Sequence, residues 1–271
     1  MAPILSYLTA AALAFTAYAL PQTEDLTLFK KASTCPEVIN SGTPRGQIKT
    51  VSTNQIYQTT PQPWKNTNTA ILFLSDVFGI PSLENRLLAD SFANAGYAVI
   101  MPDLFKGDPI TPAEIADPNF NITAWSVLHP QSETEGIIAA TVTYMQSLGI
   151  TKIGGVGYCF GGKYVPRHMA AGKAINVGFV AHPTFLTLDE IRAIKGPLSI
   201  AAGELDNTFL PPDAWAAEQA LMSIGAIFQS NLYAKAPHAF AVKPNMSQPV
   251  QVYAKQESFR QAVSWFDAWL K

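Results

Sequence analysis

Two cysteines, Cys35 and Cys159, are all that the 271-residue chain contains, and charged residues make up only 14 % of it, with a formal net charge of −2. So little cysteine argues against a disulfide-framed scaffold. A single Cys35–Cys159 bridge stays open as an alternative, and it would add little to a core of this size. The near-neutral balance offers no basic run for nucleic acid or another polyanion. The four histidines and the acids lack metal-ligand spacing such as H-x-x-x-H, so neither a metal nor another cofactor is implied. What is plentiful is apolar residues, 48 % of the chain, enough for one large α/β domain acting on a small molecule.

Charge is also missing from the start of the sequence, where the first charged side chain is Glu24. Before it, Ile4 to Ala19 forms an apolar stretch ending in Ala17-Tyr18-Ala19, the small-x-small form of a signal-peptidase site. Residues 1–19 are therefore expected to be a cleaved signal, with secretion and no stable membrane association afterwards. The lack of Lys or Arg ahead of the stretch leaves an uncleaved anchor as the alternative. Two sequons, Asn121-Ile122-Thr123 and Asn245-Met246-Ser247, are glycosylation candidates in that compartment.

Residues 20–46 read as an N-terminal arm and 47–271 as the folded domain. From Thr69 onward short apolar runs alternate with amphipathic segments: TAILFLS, then LENRLLADSFANAG with Leu83, Leu87, Leu88 and Phe92 at helical spacing, then YAVIMPD. Residues 104–130 read as a long loop in which Trp125 and Phe120 either form a lid or pack the loop onto the core. Further strands are predicted over 152–158, 175–183, 197–203 and 226–234, with a closing helix from about Tyr253 to Leu270. This alternation predicts a mostly parallel sheet with helices on both faces, and in such sheets sites gather at the carboxyl ends of the strands.

At the end of one predicted strand stands GGVGYCFGG, residues 154–162, a Gly-x-Cys-x-Gly pentad between strand and helix. This is the nucleophile-elbow pattern with cysteine at its centre. The flanking glycines let strand and helix pass closely around a strained turn. The run is not a phosphate loop, because Lys163 is followed by Tyr164. An elbow nucleophile in this architecture precedes an acid and then a histidine, each after a later strand. Asp206 in AAGELDNTF and His238 in KAPHAF occupy those slots, and Asp206 is preferred to Glu204 because it lies farther into the loop. His182, in FVAHPT at a strand end, either lines the pocket and meets a substrate oxygen or is a core histidine with its bonds satisfied. His168 is expected to face outward or pack on its helix, His129 has no evident partner, and Lys106 and Lys163 read as solvated charges.

These motifs together resemble the dienelactone hydrolase family, in its secreted or fungal-type branch. The matching stretches are LSDVFGI (74–80), FANAGYAVIMPDLFKGD (92–108), GVGYCFGG (155–162), GELDNTF (203–209) and PHAF (237–240), spanning roughly 45–271. The resemblance implies an α/β-hydrolase fold, carboxylic-ester hydrolase activity and a catalytic set of Cys159, His238 and Asp206, working through a thioester. Backbone N–H groups of Val77 and Phe160 would hold the oxyanion. Asp76 stands where bacterial members resemble one another in carrying a glutamate that meets the resting thiol; capping of the adjacent loop is the other reading. Dienelactone-cleaving members hold a substrate carboxylate with arginines, one of them shortly after the histidine. Here the sequence runs His238-Ala239-Phe240-Ala241-Val242-Lys243, which favours a more neutral ester or lactone, such as a plant- or polyketide-derived aromatic. A thioesterase or transacylase, and a secreted binding protein on the same fold, are the alternatives.

Overall fold

The computed structural model of the protein describes residues 36–63 and 68–271; the expected signal, most of the arm and Cys35 lie outside them. Eight strands form one sheet in the order β1-β2-β4-β3-β5-β6-β7-β8. They are β1 (Gln47–Val51), β2 (Asn54–Thr59), β3 (Thr69–Leu74), β4 (Ala98–Pro102), β5 (Lys152–Tyr158), β6 (Ile175–Ala181), β7 (Leu198–Leu205) and β8 (Phe228–Pro237). β1, β2 and β4 pair antiparallel, and every pair from β4 through β3 to β8 is parallel.

Parallel strands need crossovers, and helices supply them on both faces. Along β3, Ala70, Leu72 and Leu74 join one apolar cluster and Ile71 and Phe73 the other, as the period-two alternation of a strand dictates. The first cluster takes in α4 (Gln131–Ser147), α5 (Phe160–His168), α6 (Leu188–Ala193) and α7 (Pro211–Ser223); the second takes in α1 (Leu83–Asn94) and α8 (Pro249–Trp269). Both faces being covered explains why the central strands read as continuous apolar runs. The mostly parallel sheet with helices on both faces is what the sequence pattern predicts, and the α/β-hydrolase-like fold is what the family resemblance implies.

The stretch expected to be a long loop contains two short helices, α2 (Pro112–Ala116) and α3 (Ile122–Leu128). Each is too short to show helical periodicity, although the Thr111/Glu114 capping box and the Asn121 cap start them in recognisable ways. Trp125 packs rather than standing free: it is buried, donates Nε1–H to Asp108 O at 3.0 Å and stacks near Phe105. Phe120 rests half-buried on the same cluster.

The chain passes from β3 to β4 on one side of β3 and then to β5 on the other. The order therefore reverses between β3 and β5, and such reversals open a crevice at the carboxyl ends of the strands. Asp76 follows β3 and Cys159 follows β5, which places both at that crevice.

Candidate active site

Cys159 sits on a backbone with φ 49° and ψ −114°, in the left-handed half of conformational space, where a non-glycine residue is strained. The strain is held by the neighbours. Gly161 donates its N–H to Ser75 O at 3.0 Å, and a Cβ on Gly161 would come within 2.1 Å of Leu74 O. A Cβ on Gly157 would come within 2.6 Å of Gly161 O. The spacing of these glycines is thus a packing requirement of the elbow. Cys159 is a free thiol, 9 % exposed.

Asp206 and His238 follow the ends of β7 and β8, each of which runs farther than the sequence pattern suggests. His238 Nδ1 lies 3.0 Å from Asp206 Oδ1 and 3.1 Å from Oδ2. Glu204, the competing acid, points elsewhere and accepts the Lys235 N–H. Burial works against a charge on His238, but Asp206 and Cys159 acting on the ring outweigh it and push its pKa up to about 10. Burial likewise works against the Asp206 carboxylate, and it is overcome by His238 and by the N–H groups of Thr208 and Phe209, at 2.8 and 3.1 Å, which hold its pKa below the ordinary value.

A third residue joins this pair. Thr208 Oγ1 lies 2.8 Å from His238 Nδ1 and 3.0 Å from Asp206 Oδ1. A threonine two residues after an acid carries no signal of its own, and its partner stands 30 positions away.

Asp76 is buried, and its Oδ1 accepts the Phe78 N–H at 3.0 Å and Asn85 Nδ2–H at 2.7 Å. These bonds close the loop after β3, in keeping with the capping reading. The carboxyl also lies close enough to His238 to feel its charge. Burial pushes the Asp76 pKa up to about 6, with Glu84 adding to the rise and Asn85, Phe78 and His238 opposing it. The Val77 and Phe160 N–H groups, the proposed oxyanion donors, have no protein acceptor among the described residues.

His182 differs from the expectation of a satisfied core histidine. It is fully buried at φ 39°, and neither ring nitrogen has a partner among the described residues. Its ring packs edge to face on His238 (5.1 Å) and Phe240 (5.4 Å). Burial first, then the His238 charge, lower its pKa to about 3, so it is neutral. His168 is buried on its helix, and burial lowers its pKa to about 4. His129 does have a partner, Asp108 Oδ2, 3.1 Å from its Nε2. The lysines expected to be solvated also have partners: Lys106 pairs with Glu133, and Lys163 Nζ lies 3.9 Å from Glu190. The sequon residues Asn121 and Asn245 are both exposed. Among the described residues no cluster of His, Cys, Asp and Glu could hold a metal ion, and no helix is long and apolar enough to cross a membrane.

Two clefts open nearby. One, of about 540 Å³, is lined by Phe78, Glu84, Asp108, Glu114 and Lys243 among others. The other, of about 290 Å³, lies against Pro183, Phe185, Leu186, Leu188, Thr208 and Phe209.

Comparison with known proteins agrees with the fold and gives the family. Residues 56–270 match the model of the dienelactone hydrolase family. The chain is 43 % identical over 234 residues to hydrolase pyvD of Aspergillus violaceofuscus, covering 86 % of this chain and 94 % of that protein. It is 37 % identical over 241 residues to hydrolase tropI of Talaromyces stipitatus, covering 86 % and 93 %. A solved structure of a dienelactone hydrolase-like promiscuous phosphotriesterase from metagenomic libraries shares the fold, with a TM-score of 0.68 at 14 % identity over 84 % of this chain and 98 % of that one. The chain belongs to the dienelactone hydrolase family and is a hydrolase of the carboxylic-ester class.

Proposed function

We propose that the protein cleaves a neutral ester or lactone through a thioester on Cys159, with His238 and Asp206 completing the catalytic set. The observation that carries this reading is the His238 imidazole, bonded to Asp206 on one side and interacting with the thiol of a strained elbow on the other. An imidazolium beside a thiol favours the thiolate, which is the attacking form. Sγ adds to the carbonyl carbon, and the oxyanion that forms is held by the Val77 and Phe160 N–H groups. Collapse breaks the carbon–oxygen bond while Nε2–H passes its proton to the departing alkoxide. The now neutral Nε2 takes a proton from water as the hydroxide attacks the thioester. Sγ then leaves as thiolate, the carboxylic acid is released, and the imidazolium is restored.

A neutral substrate is favoured because the larger cleft carries Glu84, Asp108 and Glu114 against the single Lys243. An ammonium also lacks the bidentate fork with which arginine grips a carboxylate. The apolar stretch ending at Ala19 supports secretion, and the exposed Asn121 and Asn245 would then be open to glycosylation. The test is a panel of para-nitrophenyl and aryl esters beside a carboxylated dienelactone, run on the native chain and Cys159→Ala. Neutral esters should be preferred, and Cys159→Ala should lose at least about 10³-fold in turnover, since the oxyanion hole and binding alone leave only residual catalysis. Preference for the carboxylated lactone would overturn the substrate assignment, and an active Cys159→Ala would overturn the mechanism.

A further inference from the structure

We propose that Thr208 is a positioning residue for His238, fixing the plane and the proton of the imidazole; this rests on the Cys159–His238–Asp206 reading. The hydroxyl stands between the two partners, 2.8 Å from Nδ1 and 3.0 Å from Asp206 Oδ1. It has one proton, and the carboxylate decides where that proton goes. When Nδ1 carries hydrogen, Thr208 donates O–H to Oδ1 and turns a lone pair toward Nδ1–H, so all three groups are satisfied. With the proton on Nε2 instead, a bare Nδ1 would face both carboxylate oxygens at 3.0 and 3.1 Å, a repulsive arrangement. The productive tautomer is therefore the one in which the hydroxyl bridges, and it leaves Nε2 toward Cys159.

Asp206 alone holds the ring poorly against tilting, because its two oxygens are nearly equidistant from Nδ1. Thr208 adds a third acceptor, on a different carrier. Its own N–H bond to Oδ1, at 2.8 Å, ties the hydroxyl to the same turn as the carboxylate, so the bridge is built from one rigid piece of chain. Removing the hydroxyl leaves the Thr208 and Phe209 N–H bonds to Asp206 in place, so the carboxylate stays ionised. The uncompensated loss is the acceptor at Nδ1–H, which weakens the imidazolium and, through it, the thiolate. The titratable groups facing this imidazole are Asp206 after β7, Cys159 at the elbow, His182 after β6 and Asp76 after β3.

The test compares Thr208→Val, which keeps the shape, with Thr208→Ser, which keeps the hydroxyl. In para-nitrophenyl ester hydrolysis, Thr208→Val should lose about tenfold in kcat with KM within about twofold, and Thr208→Ser should stay within about threefold of the native chain. Equal kcat for Thr208→Val and the native chain, or an equal loss in both variants, would overturn the proposal. If Thr208→Val does not fold, judged by its circular-dichroism melting curve, Thr208→Ala set against Thr208→Ser makes the same comparison. The rate of Cys159 alkylation by iodoacetamide against pH needs no substrate. Thr208→Val should slow it several-fold at pH 6–7 and Thr208→Ser should not; an unchanged profile would overturn the proposal even if no ester is turned over. Failure of the catalytic reading is separate, because it appears as activity retained in Cys159→Ala.

Discussion

Two histidines pack edge to face, 5.1 Å apart, and their surroundings drive them in opposite directions. His238 rises to about 10 and is charged at neutral pH, whereas His182 falls to about 3 and is neutral. Burial pushes both rings down, so burial does not separate them. The difference is partners: His238 has Asp206, Thr208 and Cys159, and His182 has none for either nitrogen among the described residues. The end of β8 thus presents an ionised, oriented imidazole, and the end of β6, two strands away in the sheet, presents a neutral ring with no partner among the described residues.

The comparison breaks most severely if Asp206 is neutralised. Asp206→Asn should leave His238 without its strongest partner and free to take the wrong tautomer, with kcat falling about 10²–10⁴-fold. Its imidazole pKa, read by NMR titration, should drop well below about 10 toward the behaviour of His182. An unmoved titration would show that Asp206 is not what charges the ring. The pKa shift also has a sign in stability. A folded-state value raised from 6.5 to about 10 contributes stability that is fully present below 6.5 and is lost as pH rises through about 10. His238→Ala should accordingly cost more at pH 6 than at pH 10 in urea unfolding.

Asp76 sharpens the contrast from the other side, being a carboxyl with partners that burial nonetheless raises from 3.8 to about 6. Its raised pKa favours the fold most below about 4, and a burial penalty grows as pH rises through about 6. Asp76→Asn can keep both bonds, from Phe78 N–H and from Asn85, without the charge. It should therefore be more stable than the native chain at pH 8, by an amount on the order of 1–3 kcal/mol, and the gain should vanish near pH 4. Unfolding curves at the two pH values check this. A shifted pH profile of Cys159 alkylation in the same variant would add a role toward the thiol.

The smallest effect is expected at His182. His182→Phe keeps a ring against His238 and removes two nitrogens that bond to nothing among the described residues, so kcat/KM should change by less than about fivefold. A loss of about a hundredfold would instead assign His182 a direct contact with a substrate oxygen.

The sequence pattern made the elbow legible because its requirements are local: Gly157 and Gly161 are needed within two residues of Cys159, and that spacing is visible in one line. The order of Asp206 and His238 was legible because strands in this fold come in a set sequence. Thr208 was not, since its role arises from a loop meeting another loop across the sheet edge. Nor was the state of His182, because a strand-end histidine reads the same whether or not a partner stands beside it. Helices α2 and α3 were hidden by their brevity, although Thr111 and Glu114 marked the start of one.

The central claim is a covalent one, and the most direct measurement is the mass of the protein during turnover. Acid-quenching the native chain within milliseconds of mixing with a para-nitrophenyl ester, followed by peptide mass spectrometry, should show the acyl group on the peptide containing Cys159 and no such adduct in Cys159→Ala. Turnover with no acylated peptide in a rapid-quench series, or an adduct on another residue, would contradict it.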